Sequence, residues 1–152
     1  MSDAHVATQT APATTDQLGA GFARRDGYMK FLGITLVNIS PGRATLRMPV
    51  RAEHINFNGT CHGGAIFSLA DSAFGVASNS HGILSAGIDA HVTFQIGVSE
   101  GDVLTATAQE ESRSRKIAVY RVEVANEAGE NVAGFTGTVY RTGKPNHSVI
   151  KV

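Results

Sequence analysis

The sequence predicts an α+β domain in which one long central helix is wrapped by a mostly antiparallel β-sheet. Three observations carry this. Residues 65–77 form an apolar run with a helical period, too long for an average strand. Two runs of alternating apolar and polar residues precede it and four follow it. Short turn signals join the strands, and short turns suit antiparallel neighbours.

Taken in order, residues 1–16 are rich in Ala and Thr and read as a disordered tail. They have neither the basic start nor the apolar core of a secretory signal. From Asp16 a helical pattern takes over, with Leu18, Phe22, Tyr28, Met29, Phe31 and Leu32 on its apolar positions and Gly33 closing it. Gly19, Gly21 and Gly27 weaken that helix. A short β run over residues 34–39, the turn Ser40-Pro41-Gly42, and the alternation of Ala44, Leu46, Met48 and Val50 make a hairpin. Residues 54–60 are a polar loop before the central helix, and small or polar residues from Ser78 to Gly82 end that helix. Four strands complete the domain. The first carries Ile88, Ala90, Val92, Phe94 and Ile96; the second Leu104, Ala106 and Ala108; the third Tyr120, Val122 and Val124. The last covers residues 132–140. The domain therefore spans residues 17–142, with residues 143–152 as a C-terminal tail. One sheet with one long helix leaves an edge and part of a face uncovered, which an oligomer would remedy.

The bulk properties exclude several classes. The chain has 152 residues and a formal net charge of zero, so no basic field points to nucleic acid. No apolar run approaches the roughly 20 residues that span a bilayer, so no membrane partner is expected. A single cysteine, Cys61, rules out an internal disulfide and fits a cytoplasmic address. The six histidines show no metal-ligand spacing, so no metal is expected; His54, His81, His91 and His147 read as surface or loop residues.

The central stretch is where chemistry is sought. On a wheel at roughly 100° per residue, Ile66, Leu69, Ala70, Ala73, Val76 and Ala77 gather on one face. Ser68, Ser72, Gly75 and Asn79 form an opposite stripe, and Asp71 lies between that stripe and Phe67 and Phe74. A solvated acid on an amphipathic helix would look the same. Yet Asp71 is the only Asp, Glu, Lys or Arg from residue 55 to residue 88, and a solvated face normally carries more charge. A small-residue face with one acid suits close packing against another subunit. At the helix start, Gly63 and Gly64 let a group approach unpaired backbone N–H groups, where an oxyanion can be held. The same pair could equally be only the turn into the helix. Cys61 beside His62 is read as a small buried residue rather than a thiol nucleophile, because sequence neighbours seldom present their side chains to each other.

These residues carry a resemblance. Asn56, then His62-Gly63-Gly64 six residues on, then Asp71 nine residues after the histidine, set in FSLADSAFGVASNS, is similar to the hotdog-fold thioesterases. More narrowly it resembles the phenylacetic acid degradation (PaaI-type) acyl-CoA thioesterases, over about residues 31–140. The resemblance implies a hotdog fold paired into a homodimer, often a homotetramer, with active sites at the subunit seam. It implies that Asp71 is the catalytic carboxylate, as base for water or as nucleophile, and that the Gly63 N–H binds the thioester oxygen. Asn56 would place the substrate carbonyl or the water, and His62 would support the loop. A related aryl-CoA branch has a threonine one turn after its carboxylate; here that position is Gly75.

In this setting the basic cluster Arg113-Ser114-Arg115-Lys116 could hold the phosphates of coenzyme A, or be a solvated turn. Gly64, Phe67, Phe74 and Phe94 could line an acyl or aryl pocket, though such phenylalanines are also ordinary core. The expected activity is hydrolysis of an aryl- or arylacetyl-CoA in aromatic acid catabolism, with the CoA thioester as substrate and no cofactor. A non-catalytic acyl-CoA binder and a hotdog-fold acyl-CoA hydratase are the rival readings.

Overall fold

The computed structural model describes residues 13–146. The bulk of the expected N-terminal tail and His147 lie outside the described residues. The helical pattern after Asp16 is two helices, α1 (Thr15–Arg25) and α2 (Gly27–Leu32), not one. The chain breaks at Asp26, which leaves helical geometry (φ −76°, ψ 100°) and caps α2 by accepting the Met29 N–H on Oδ1 at 2.9 Å. Competition of this kind from an Asp side chain is what periodicity alone misses. Gly33 ends α2 in the left-handed conformation, φ 72°, as the sequence expected of it.

The hairpin follows as β1 (Thr35–Ser40) and β2 (Arg43–Pro49). The central helix, α3, is Gly63–Asn79. Then come β3 (Ile83–Phe94), β4 (Val103–Arg113), β5 (Ile117–Ala125) and β6 (Asn131–Pro145). The six strands form one sheet in the order β1-β2-β4-β5-β6-β3, with every neighbouring pair antiparallel. β6 is longer than expected. Arg141 pairs with Ser85 and Pro145 with Ile83, so the first residues assigned to a C-terminal tail are strand. Residues 141–145 have no apolar residue, so no alternation marks them as strand.

The sheet curls round α3, which packs on β2, β4 and β5. The six apolar residues of the wheel are all buried, as are the inward residues Leu46, Met48, Leu104, Ala106, Tyr120, Val122, Val124 and Phe135. Four of the six helix residues on this face are Ala or Val, which brings the helix axis close to the strands. Leu69 is 0% exposed; truncating it to Ala would cost about 2–5 kcal/mol. Phe74 is buried rather than pocket-lining: its ring packs edge-on against Tyr120 and tilted against Phe135, at centroid distances of 5.9 and 5.4 Å. Gly137 makes room for it, since a Cβ there would stand 2.8 Å from that ring.

β3 departs from the alternation expected of it. It is an edge strand, and Leu84, Ile88 and Phe94 on it are exposed, with Ile96 exposed just beyond. Nothing among the described residues covers this apolar edge. No helix among the described residues is long and apolar enough to cross a membrane.

Candidate active site

The start of α3 is built by His62. Its backbone is extended (φ −61°, ψ 132°), and its Nδ1 accepts the Gly64 N–H at 2.8 Å. A Cβ on Gly64 would lie 2.9 Å from that same nitrogen, so the glycine lets the imidazole close over the helix end. The His62 carbonyl takes the Ala65 and Ile66 N–H groups. The Gly63 N–H is left without a hydrogen bond among the described residues. It sits at the positive end of a 17-residue helix. The Phe94 ring lies over it, 3.1–3.4 Å from where a Gly63 Cβ would be. The sequence singled out the His62-Gly63-Gly64 triplet and Phe94 separately; the fold brings them together.

Asn56 holds the loop before them. Its Oδ1 accepts the Asn58 and Thr60 N–H groups at 2.8 and 3.3 Å, and its Nδ2 donates to Thr60 Oγ1 at 3.2 Å. That leaves one amide hydrogen for any ligand. The loop is tied further by Cys61 N–H to the Val98 carbonyl and His62 N–H to the His54 carbonyl, both 2.7 Å. His54 is buried, not a surface residue, and accepts the Arg51 N–H on Nδ1. Burial and the neighbouring Arg51 charge hold its imidazole below the usual range. Cys61 is buried and its thiol is pushed up to about 11 by that burial, which keeps it out of nucleophilic chemistry.

Asp71 is eight residues along α3 from Gly63, about 12 Å along the axis. The two cannot touch one carbonyl within a single chain. Its side chain opens into a groove of about 450 Å³ between α3 and the α1–α2 elbow. Arg25, Asp26, Tyr28, Ser68 and Ser72 share that groove, and Phe22, Val76 and Leu84 make its apolar part. Although part of Asp71 faces solvent, the surrounding protein raises its carboxyl above the usual range, with burial the larger cause and the Asp26 charge the second. Asp26 and Leu84 were not picked out from the sequence, and Phe22 and Tyr28 were read only as apolar helix positions. The acid at the Gly27 helix break was the available signal.

The other expected pocket residues separate. Phe67 is half-buried and packs edge-on to Phe135 at 5.5 Å, so it belongs to the core margin. Phe74, as described, is core. The basic cluster forms the β4–β5 turn and is internally tied: Ser114 Oγ accepts the Lys116 and Ile117 N–H groups, Lys116 Nζ donates to the Tyr140 hydroxyl at 3.0 Å, and Arg113 lies 3.5 Å from Glu110. Arg115 is exposed. Ile117 pairs with Tyr140, which pairs with Ala86 near the start of β3. The turn therefore stands at the C-terminal end of α3, far from Gly63 in the same chain. Among the described residues no group of three or more His, Cys, Asp or Glu is placed to hold a metal.

Known proteins share this arrangement. The thioesterase superfamily model matches residues 58–133, the span from the α3 loop into β6. Acyl-coenzyme A thioesterase PaaI of Escherichia coli is 38% identical over 118 residues, covering 78% of this chain and 84% of that protein. A protein of Archaeoglobus fulgidus whose name goes no further than esterase is 42% identical, over 78% of this chain and 77% of its own. The structure of the E. coli PaaI protein superimposes with a TM-score of 0.83 at 34% identity, over 88% of this chain and 99% of that one. A Streptococcus mutans protein solved bound to acetyl-CoA gives 0.72 at 27% identity, over 74% and 91%. With the helix start, the carboxylate on α3 and the wrapped sheet already in place, these relatives settle the matter of family: the chain belongs to the thioesterase superfamily, among the hotdog-fold acyl-CoA thioester hydrolases.

Proposed function

We propose that this chain hydrolyses an aryl- or arylacetyl-CoA thioester to the free acid and CoA, in the cytoplasm and in the service of aromatic acid breakdown, with each active site shared between two copies. The observation that carries the shared site is the separation of Gly63 and Asp71 on one helix beside an uncovered β3 edge. Antiparallel pairing of two β3 edges turns the second copy end for end. The Asp71 of one α3 then approaches the Gly63 of the other. The same operation carries the partner's basic turn to the end of the sheet where Gly63 lies, within reach of the phosphates of CoA. Exposed Ile88, Phe94 and Phe57 support such a seam, Phe57 being 98% exposed on a loop that Asn56 ties through the Asn58, Gly59 and Thr60 N–H groups. A homotetramer would be two of these dimers.

In that site the thioester oxygen rests on the Gly63 N–H and the positive end of α3. Asp71 takes a proton from water as the water adds to the carbonyl carbon, or attacks that carbon itself, in which case water then hydrolyses the mixed anhydride left on Asp71 after CoA departs. The oxyanion collapses, the C–S bond breaks, and the CoA thiolate leaves and is protonated. Stabilising the oxyanion is the largest expected contribution. No cofactor is required. The aryl preference is supported by the relative from the phenylacetic acid degradation operon and by the apolar part of the groove, Phe22, Val76 and Leu84.

Two measurements test this. A panel of phenylacetyl-, benzoyl- and medium-chain acyl-CoA should show turnover, highest for the aryl thioesters; tight binding without turnover would favour a plain acyl-CoA binder. Mixing inactive Asp71→Asn chains with inactive Gly63→Pro chains should restore part of the activity, because one of the two sites of each mixed dimer is then intact. A mixture that forms mixed dimers and stays inactive would overturn the shared site.

A further inference from the structure

The α1–α2 elbow is the second wall of the Asp71 groove, and it is fixed in place. Asp26 is held as the cap of α2 by its bond from the Met29 N–H. Two residues on, the Tyr28 hydroxyl lies 3.2 Å from Ser68 Oγ, and Ser68 donates to the Gly64 carbonyl at 2.8 Å. With the Ser68 proton committed to Gly64, Tyr28 is the donor of that pair. Ser68 is three residues before Asp71, on the adjacent turn of the same side of α3. The elbow is thus clamped to the helix one turn from the carboxylate, with Asp26 on the same groove.

We propose that Asp26 is a positioning residue of the hydrolysis: its pinned carboxylate, sharing the groove with Asp71, sets the charge field in which Asp71 takes a proton. This rests on the reading of Asp71 as the catalytic carboxylate. A like charge across a partly desolvated groove disfavours ionised Asp71 and makes it the more basic. A more basic acceptor pulls harder on the proton of attacking water. Arg25 and Tyr28 are the other charged or titratable side chains of the groove, both from the elbow. The α3 and β3 parts of the wall are Ser68, Ser72, Val76, Asn79 and Leu84 and add no charge. Holding two carboxylates in one groove costs folding stability, which is a reason to look for a use.

The test is Asp26→Asn in the full-length protein. Asn is as good a helix cap as Asp, so the Met29 N–H keeps its partner and only the charge is lost. The Asp71 carboxyl is titrated by carbon NMR, which needs no substrate, and kcat/KM for phenylacetyl-CoA is followed against pH. The Asp71 midpoint and the acid limb should both move to lower pH, with the plateau falling less than about tenfold, while Asp71→Asn loses about a hundredfold or more. An unmoved midpoint in a folded Asp26→Asn protein overturns the inference and leaves the site intact. An active Asp71→Asn enzyme overturns the reading of the site and this inference with it.

Discussion

The two ends of α3 are built for opposite purposes. At its C-terminal end nearly every polar group is spoken for. Ser80 Oγ accepts the Gly42 N–H and donates to the Ala77 carbonyl, both 2.7 Å. The Asn79 side chain bonds Gly75 O and both the N–H and the carbonyl of Ser85. Just beyond, His81 and the buried Tyr120 both meet Glu110 Oε2, at 2.8 and 2.6 Å. At its N-terminal end the Gly63 N–H is unpaired among the described residues, close to an exposed Phe94 ring. One end is saturated and anchors the helix to the sheet; the other keeps a donor in reserve. An unsatisfied donor costs stability, and it stands where the proposed reaction would use it.

Substitutions can break this contrast. The largest effect is expected for Asp71→Asn, a loss of about 10² to 10⁴ in kcat with the melting temperature no lower, since among the described residues the side chain makes no hydrogen bond that folding would lose. The wild-type acid limb should lie above the ordinary carboxylate range, because the Asp71 carboxyl is raised by burial and must be deprotonated to act. Next comes Gly63→Pro. Proline is tolerated at the first helical position and deletes the one free N–H, and the preceding His62 is already extended. A fall of about 10² to 10³ in kcat is expected with little change in the melt. An active Gly63→Pro enzyme would remove the oxyanion role.

The saturated end should answer in the other currency. Glu110→Gln is expected to lose about 1–3 kcal/mol of stability in urea unfolding, with kcat of the folded enzyme near wild type. Burial works to raise the Glu110 carboxyl, but hydrogen bonds from Tyr120 and His81 and the charges of His81 and Arg113 together hold it below its usual range. Its contribution is therefore present above the unfolded value of about 4.3 and is lost as pH falls through the lower folded value. The advantage of wild type over Glu110→Gln should vanish in acid. A variant that unfolds like wild type at neutral pH would show that the cluster is decoration. The smallest effect concerns Gly75, midway along α3, where a Cβ would meet nothing within 4 Å. Gly75→Ala should gain about 0.5–1 kcal/mol from helix propensity in an isolated chain. A loss of stability or of dimer would locate the partner helix against that stripe.

Much of the frame was legible because periodicity is a local property. The six buried residues of α3 repeat at the helical period, and the inward faces of β2, β4 and β5 alternate, so one chain suffices to read them. The break at Asp26 was not legible, because a side chain competing for a backbone N–H leaves the apolar period of α1 and α2 nearly intact. Nor was the exposure of β3, whose alternation is that of a half-buried strand although the described residues leave its edge and its Leu84, Ile88 and Phe94 side chains uncovered. Phe74 and Phe94 look alike in sequence; Gly137 across the sheet admits one to the core, and the other is left over Gly63.

The sequence by itself determined the helix, the strands around it, the open helix start and the identity of the acid on it, because each depends on residues within a few turns of one another. Only the tertiary structure decided what Asp71 faces. The α1–α2 elbow, forty-odd residues earlier, supplies that wall through the Tyr28–Ser68 contact, and contacts made across such distances depend on how layers pack, which no local pattern encodes.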